Sequence, residues 1–444
     1  MADASTASGG AAREAPRGLR QLPQSAGELI RAADVDTRLL GLVAALAIIW
    51  IGFNIATGGS FLTARNLWNL SVQSASIAIM ATGMVLVIVS RNIDLSVGSM
   101  LGFIGYTMAM AQTVWLPQTL GLGLGHPAIW ILTVVLGLVL GLLIGLIQGL
   151  VIAYAFIPSF IVTLGGLLVW RGLIFQYAQG QTIAPLDTTF RLLGGGPQGS
   201  LGEWGSWAVG IVATVVVVAG LVLLRRRQAK YGFQVRPIWA TVLLAAFAAL
   251  VILGAVWVAN AYPWPENLAN QYAQQHGIEI PPGGYIIPTG IAYPVLIMIA
   301  VAIVMTHIAE RRRFGRNVYA IGGNPQAAEL SGINTKRAIM WVFGLMGLLA
   351  GVSAIVQTAR LNAAVTGLGV TNELDVISAA VIGGTSFSGG IGTIPGAVLG
   401  AVVMQSLRSG MVQMRVDSPT QDIIVGIVLV AAVGFDAWLR RRTT

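Results

Sequence analysis

A short polar stretch between two apolar segments is the first place in this sequence where chemistry could occur. It runs from Ser90 to Ser99 and contains Asn92, Asp94, Ser96 and Gly98. An acid at such a boundary is costly unless it finds a partner. An Asp or Ser ahead of an apolar run is also typical of a helix start, where it accepts from free backbone N–H groups. We therefore expect Asp94 to cap the next helix and to pair with Arg91. The alternative is a break that lies beside a solute path or a partner protein.

Glycine and hydroxyl residues crowd a second stretch, Ile382–Gly396. Backbone freed from helical hydrogen bonds at membrane depth must be buried in protein or line a wet cavity. The stretch resembles a phosphate-binding glycine loop only superficially, because no lysine follows in the G-x-x-x-x-G-K-[ST] spacing. We expect no nucleotide site here. The order of span, Ser/Gly break and span weakly repeats that around Asp94, as in transporters built from internal repeats.

A third stretch, residues 310–337, carries the signals of a short helix. Asn324 before Pro325 is typical of an N-cap followed by a proline at the first helical position. Residues 326–330 favour helix, and Gly332 can end it. Either this loop packs on itself, or it receives a partner protein.

The elements that must position these stretches are membrane helices. Of the residues, 55% are hydrophobic and 10% are charged, whereas soluble domains carry roughly 25% charged residues. A span needs about 20 apolar residues. We expect an all-α polytopic membrane protein with about 10–12 transmembrane helices, some short or broken. The candidate spans are Leu39–Ile55, Leu67–Ser90, Leu95–Trp115, Ala128–Phe156, Phe160–Tyr177, Trp207–Leu224, Ile238–Ala259, Ile287–His307, Ala338–Gln357, Val376–Phe387, Ile394–Leu407 and Ile423–Leu439.

The charge pattern predicts the orientation. The net charge is +9, and the basic residues lie in runs between apolar segments, which favours the positive-inside rule over nucleic-acid binding. Both termini are predicted to be cytoplasmic, with tails at 1–37 and 441–444 around a membrane domain at 38–440. The loop 310–337 then faces the cytoplasm.

Several kinds of site are excluded or disfavoured by composition. The chain has no cysteine and three histidines, so thiolate catalysis is excluded and the histidines show no metal-ligand spacing. No Ser/His or Asp/Asp arrangement suits an intramembrane enzyme. We expect no metal and no catalytic residue. Gly137, Gly141, Gly145 and Gly149 share one helix face, which predicts close helix packing or, alternatively, a dimer seam.

The three stretches together resemble one family. Gly315–Ile333 resembles the cytoplasmic coupling segment of bacterial ABC-type monosaccharide importer permeases, the ribose, xylose, arabinose and galactose group. Asn92–Gly98 is similar to the family's G-I-D-L-S-V-G-S signature, with Asn92 in place of the usual Gly. Val381–Gly400 is similar to its G-G-T-S-x-x-G-G region. An extra helix pair at 205–260 and a long Pro-rich outer loop at 260–285 look most like the xylose-type permeases.

The resemblance implies a permease in a bacterial inner membrane that works as a homodimer. Separate ATPase subunits would bind ATP and dock on the inner loops, and a periplasmic binding protein would deliver the sugar. This chain itself would need no cofactor. The residues that match the coupling segment are Asn324, Ala327, Ala328, Ser331, Gly332 and Ile333.

A neutral sugar needs hydrogen bonds and no counter-ion, so its path should be lined by uncharged polar groups. The candidates are Gln73, Ser74, Gln148, Asn362, Asn372 and Thr385. Each could instead be a bond between helices.

Three alternatives remain open. The same machinery could carry ribose, another sugar or a branched-chain amino acid. A self-sufficient secondary transporter would need intramembrane acids for ion coupling, and Asp94, Glu373 and Asp375 are the acids in question. Uptake driven by an ion gradient alone would separate that class from an ATP-driven importer.

Overall fold

The computed structural model describes residues 37–233, 235 and 237–441. The predicted tails at 1–37 and 441–444 lie outside it, apart from Thr37 and Arg441. In chain order the helices are α1 (Thr37–Ala56), α2 (Ala64–Val89), α3 (Val97–Met110), α4 (Leu116–Leu120), α5 (Pro127–Tyr154), α6 (Ser159–Ala178), α7 (Thr188–Leu192), α8 (Gly202–Lys230), α9 (Ile238–Asn260), α10 (Glu266–Gln275), α11 (Tyr293–Arg311), α12 (Arg313–Gly323), α13 (Pro325–Leu330), α14 (Thr335–Leu361), α15 (Asn372–Ile382), α16 (Ile394–Gln413) and α17 (Ser418–Arg441).

Each predicted span overlaps a helix, although Ile287–His307 begins six residues before α11, and the all-α polytopic prediction is confirmed. Among the described residues, eight helices are long and apolar enough to cross a membrane: α1, α2, α5, α6, α8, α9, α11 and α14. The π-helical turn Ala111–Trp115 joins α3 to α4 in one continuous run. The predicted span Val376–Phe387 is too long at its end, because α15 stops before Gly383 and Gly384, and Gly384 has a φ of 90°.

Helix α2 lies at the centre of the molecule. Nearly all of its apolar stretch is buried inside the protein, and it packs against α11, α14, α15 and α16. Its sequence contains four Ala, three Ser and one Gly, and small side chains let neighbouring helices approach closely. Residues on α2 therefore face other helices rather than lipid.

The glycine stripe of α5 packs against α14. A side chain at Gly141 would meet the carbonyl of Gly347, and one at Gly149 would meet Met340. The close-packing prediction is correct. The dimer seam is wrong for this face, because α14 of the same chain occupies it.

The extra pair, α8 and α9, lies at the edge of the molecule. The two helices pack against each other, and few of their residues are buried within the chain. They enlarge the outline of the molecule without entering its centre.

Contacts between loops separate the two ends of the bundle. At one end, the backbone N–H of Ile93 donates to Ser159 Oγ at 3.3 Å. At the other, Ile183 pairs with Ala364 and Ser200 with Ala292 as isolated β-bridges. Helices that cross the membrane in alternating directions place these same loops together at each end. We call the end that carries Arg311–Arg313 the Arg-rich end.

Candidate functional site

The three stretches singled out in the sequence meet at the Arg-rich end. The Arg91 guanidinium donates from Nε to the carbonyl of Gly322 at 2.7 Å and from Nη2 to that of Gly323 at 2.8 Å. The backbone N–H of Gly390 donates to the carbonyl of Val89 at 3.0 Å. We call residues 383–393, between α15 and α16, the glycine-rich turn. The end of α2, the loop 310–337 and this turn therefore form one connected unit, which we call the Arg91 junction.

Tyr319 of α12 adds a second bond to the glycine-rich turn. Its hydroxyl donates to the carbonyl of Gly392 at 2.7 Å. Burial, with a smaller contribution from nearby Glu310, raises the pKa of Tyr319 to about 12. The phenol therefore stays protonated and keeps donating at any physiological pH.

The predicted pairing of Asp94 with Arg91 is wrong. Arg91 has a φ of 63°, a left-handed conformation in which α2 ends with the Asn92 N–H bonded to the Val87 carbonyl at 3.0 Å. That geometry carries the guanidinium away from Asp94 and onto α12. Asn92 does not have a left-handed φ, so the usual Gly is not required there for backbone reasons. Its side-chain amide donates to the Ser90 carbonyl at 3.0 Å.

Asp94 is fully buried in the turn before α3, but it does not cap that helix as predicted, because Ser96 is the N-cap residue and the bonds of Asp94 go to Ser96. Its Oδ1 accepts from the Ser96 N–H at 2.9 Å and from Ser96 Oγ at 2.6 Å. Gln148 Nε2 donates to Ser96 Oγ at 3.0 Å. Gln148 thus belongs to the network that holds the start of α3.

Gly98 permits a close approach between α3 and the segment before α15. A side chain there would overlap Glu373 and the carbonyl of Gly369. In the signature stretch, Asp94 and Ser96 form the turn and Gly98 forms the contact that follows it.

Helix α13 has the ends that the sequence predicted. Asn324 Oδ1 accepts from the Ala327 N–H at 3.0 Å. Gly332 has a φ of 84°, and the Ile333 N–H bonds to the Ala328 carbonyl at 3.1 Å, which is a Schellman ending. Only a residue that tolerates a left-handed conformation suits position 332.

The short helix is anchored on one side and open on the other. Ala328 is buried against Ile321 and Ala338, whereas Ala327 and Ser331 are exposed. Leu330 is 90% exposed, although it is a large apolar residue that burial would stabilise. Sequence reasoning did not single it out, because apolar residues at a helix end are usually assigned to the core.

A groove of about 310 Å³ lies nearby at the same end. It is lined by Phe314, Asn317, Asn334, Arg337, Ala338 and Trp341. Two of these residues, Phe314 and Asn317, belong to α12. The sequence analysis did not predict α12 as a helix, although Val318, Ile321 and Gly322 recur at helical spacing and are buried.

A polar cavity of about 160 Å³ lies among α2, α14, α15 and α16. Its polar lining comes in pairs three residues apart, which is the spacing of neighbours on one helix face. The pairs are Gln73/Ser76, Gln357/Arg360, Asn372/Asp375 and Gln405/Arg408. This spacing within apolar helices is the signal that could have found the cavity from sequence.

Two of the residues that line the cavity, Asp375 and Arg408, form an ion pair. Arg408 Nε lies 2.7 Å from Asp375 Oδ2, and Arg408 Nη1 lies 3.4 Å from Asp422 Oδ1. The Asp375 side chain is 5% exposed. An intramembrane acid is costly unless paired, and here Arg408 supplies the partner that the sequence analysis overlooked.

The predicted path residues do not form one set. Gln73 and Asn372 line the polar cavity. Ser74 donates to the Leu70 carbonyl of its own helix at 2.7 Å, and Asn362 Oδ1 accepts from the Leu186 N–H at 3.1 Å. Gln148 lies in the Asp94 network, and Thr385 is buried beside the glycine-rich turn.

Comparison with known proteins identifies a family of permeases. A family described as "Branched-chain amino acid transport system / permease component" matches residues 66–238 and 195–433. The chain belongs to this permease family.

Individual relatives cover nearly the whole permease. It is 35% identical over 409 residues to the Escherichia coli K12 xylose transport system permease protein XylH, covering 92% of this chain and 94% of the relative. The Haemophilus influenzae XylH is 34% identical, covering 92% and 98%. The Escherichia coli K12 ribose import permease protein RbsC is 30% identical, covering 89% and 92%. No solved structure matches.

The family and the apolar helices together establish the location. The permease is a multi-pass protein of the inner membrane. Its relatives are transport permeases, and this supports reading the chain as a transport subunit rather than an enzyme.

Proposed function

We propose that this chain is the membrane-spanning permease subunit of an ATP-driven importer of a monosaccharide, with D-xylose as the first candidate. Two copies form the membrane part, a periplasmic binding protein delivers the sugar, and a separate ATPase subunit binds and hydrolyses ATP. The choice of sugar is supported by the 34–35% identity to XylH proteins, against 30% to the ribose permease.

The observation that carries the proposal is the Arg91 junction with its exposed short helix. Asn324 alone separates α12 from α13 and caps α13, so a displacement of α13 is passed directly to α12. From α12 it passes through the two Arg91 bonds to the central helix α2 and through Tyr319 to the turn before α16. Both α2 and α16 line the polar cavity. A docking element at the surface is thus connected by short steps to the helices that surround a solute-sized space.

A secondary transporter is disfavoured by the permease relatives and by the pairing of one of the three acids that it would need. Ion coupling would need an intramembrane acid that is free to change its charge. Asp375 is held by Arg408 at 2.7 Å. Asp94 Oδ1 accepts two bonds from Ser96, whereas Asp94 Oδ2 and Glu373 Oε2 are buried without a hydrogen-bond partner among the described residues.

An amino-acid cargo is supported only by the description of the family, which names branched-chain amino acid transport. Asp375 and Arg408 pair with each other, Arg360 has no ion pair to the described residues, and the remaining polar lining is amide and hydroxyl. The preference for a sugar over an amino acid therefore rests on the identity to the xylose and ribose permeases.

The docking role is tested by Leu330→Asp. Because the Leu330 side chain is almost fully exposed, a charge there should leave the fold intact and weaken an apolar contact with the ATPase subunit. We expect normal amounts of protein in the membrane. In the reconstituted complex, ATP hydrolysis should no longer respond to loaded binding protein, and xylose uptake should be lost.

Leu124→Asp is the matched control, because Leu124 is an exposed leucine at the opposite end of the bundle. It should leave the response of the ATPase unchanged. Full stimulation and uptake with Leu330→Asp would refute the docking role of α13. Uptake that persists without any ATPase subunit would refute the ATP-driven class.

A further inference from the structure

The groove of about 310 Å³ beside α12 has a lining of two kinds. Its polar side chains are Asn317, Asn334 and Arg337, and its larger apolar side chains are Phe314 and Trp341. Phe314 and Asn317 belong to α12, and the others belong to the first turns of α14 and its N-cap. We call this space the α12–α14 groove.

The segments that form the groove are strongly basic. The loop 310–337 contains six basic and two acidic residues, and neither acid lines the groove. Arg337 is exposed and has no ion pair to a described residue. The same holds for the four arginines between the end of α11 and the first turn of α12, which are Arg311, Arg312, Arg313 and Arg316. The groove therefore lies in a positive electrostatic potential, which attracts anions.

Exposed aromatic rings place the groove at the level of the lipid headgroups. The Nζ atom of Lys336, next to Arg337, lies 4.4 Å from the ring centroid of Phe156. Tyr154 ends the apolar helix α5 and Phe156 follows it, and these side chains are 48% and 73% exposed. Trp341 in the groove is 42% exposed. Aromatic rings at the ends of membrane helices are typical of the membrane–water interface, so the groove opens where headgroups lie.

An anionic phospholipid matches both parts of the lining. Its phosphodiester accepts hydrogen bonds, and guanidinium and amide groups donate them. Asn334 Oδ1 accepts from the Arg337 N–H at 2.9 Å, which leaves the Nδ2 of Asn334 to donate. The glycerol and the first carbons of an acyl chain match the rings of Phe314 and Trp341. Basic pockets between membrane helices bind anionic headgroups in this way.

Other occupants match the groove less well. A small soluble anion has no apolar part for the two rings, and nothing concentrates it at the membrane interface. The proposed ATPase contact is at α13, where Leu330 is 90% exposed and does not line the groove.

We propose that the α12–α14 groove binds an anionic phospholipid of the bilayer, with the phosphodiester at Arg337 and the upper acyl chain against Trp341. The lipid bridges the two helices. Helix α12 carries the carbonyls of Gly322 and Gly323 that hold Arg91, so the bound lipid stabilises the same end of the molecule as the Arg91 junction. The site does not depend on which solute the permease carries.

Binding is tested on the purified full-length permease in nanodiscs of phosphatidylcholine, with and without phosphatidylglycerol. A ligand that binds only the folded state stabilises it, so phosphatidylglycerol should raise the melting temperature of the native permease. Arg337→Gln removes the cation, and Asn317→Trp fills the groove without changing the charge, so both should lose this rise.

Arg226→Gln is the matched control. Arg226 is an exposed arginine at the same end of the molecule, on α8, and it does not line the groove. The substitution removes the same charge as Arg337→Gln and should keep the full rise in melting temperature.

Affinity is measured by native mass spectrometry on delipidated permease titrated with phosphatidylglycerol. Arg337→Gln should raise the dissociation constant roughly tenfold or more, because one charge-assisted contact is lost. Arg337→Lys keeps the charge without the planar fork of donors and should raise it less. Phosphatidylcholine, which has no net charge, should bind the native and Arg337→Gln permeases equally weakly.

Three results would overturn the site. An equal rise in melting temperature in the native permease and in Arg337→Gln would place the lipid effect elsewhere on the surface. Displacement of phosphatidylglycerol by soluble glycerol phosphate would show a site for a small anion. Weaker binding of the ATPase subunit to Asn317→Trp in detergent free of anionic lipid, with phosphatidylglycerol binding unchanged, would assign the groove to the protein partner.

The exposure of Arg337 keeps the test decisive. In phosphatidylcholine alone, Arg337→Gln should melt at the temperature of the native permease. Its response to phosphatidylglycerol therefore decides for or against the site even if Asn317→Trp fails to fold.

Discussion

Arg91 occupies a backbone conformation that residues with side chains rarely adopt. The left-handed region costs roughly 1–2 kcal/mol for a residue other than Gly. Two hydrogen bonds from its guanidinium to the carbonyls of Gly322 and Gly323 offset this cost, since bonds to charged donors each contribute about 1.5–3 kcal/mol. The left-handed backbone and the two hydrogen bonds together indicate that Arg91 serves to link α2 to α12.

Arg91→Gly separates the backbone role from the link. Glycine adopts the left-handed conformation freely, so the turn should form and the membrane should contain normal amounts of protein. Without the guanidinium, ATP hydrolysis by the assembled complex should proceed with little sugar uptake. Arg91→Lys retains one charged donor, so its sugar uptake per ATP hydrolysed should lie between the values for Arg91→Gly and the native protein. Native coupling of hydrolysis to uptake in Arg91→Gly would show that the link carries no force.

At the scale of elements, one arginine joins three helices. Arg408 on α16 contacts Asp375 on α15 and Asp422 on α17. The Asp375 side chain is buried, so its charge depends on Arg408 more than that of an exposed partner would, whereas the Asp422 side chain is exposed. Two members of this contact, Arg408 and Asp375, line the polar cavity.

Arg408→Gln should be strongly destabilising, because it leaves Asp375 buried without its cation, a loss of about 3–5 kcal/mol. The double variant Asp375→Asn/Arg408→Gln removes both charges and should recover most of the thermal stability. Melting temperature in detergent measures this. If the double variant melts as low as the single one, the ion pair is not what holds α15 to α16.

The helix starts and ends at the Arg-rich end show how far local sequence reaches. Asn324 and Gly332 act on neighbours within a few residues, so their types predicted the structure there. The Asp94–Arg91 pair failed, although the two residues are close in sequence. The partners of Arg91 come from α12, more than two hundred residues away, and no local pattern reports them.

At the scale of the whole molecule, the loops divide into two ends with different charge. The Arg-rich end carries the Arg91 junction and the α12–α14 groove, and the other end carries the loops joined by the Ser200–Ala292 bridge. The positive-inside rule predicts that the Arg-rich end lies in the cytoplasm. The proposed docking site of the ATPase subunit and the proposed lipid site then lie on the same, cytoplasmic side of the membrane.

Cysteines at Gln274 and Gln326 test this orientation, because both residues are exposed and lie at opposite ends. In intact cells with a permeable outer membrane, an impermeant thiol reagent should label Gln274→Cys at once. Gln326→Cys should be labelled only after the inner membrane is opened. The reverse pattern would place α13 outside and would exclude docking of a cytoplasmic ATPase there.

The sequence by itself determined the solvent of this protein, its helices, the ends of α13 and its family, because hydropathy, capping and glycine spacing act over a few turns of one segment. Tertiary structure alone decided which polar residues meet. Gln73 and Asn372 reach the same cavity, whereas Ser74, one residue from Gln73, bonds to its own helix. A helix turns by about 100° per residue, and which face meets a partner depends on packing between helices far apart in the chain. The polar cavity, the Arg408 ion pair and the α12–α14 groove become visible only once that packing is known.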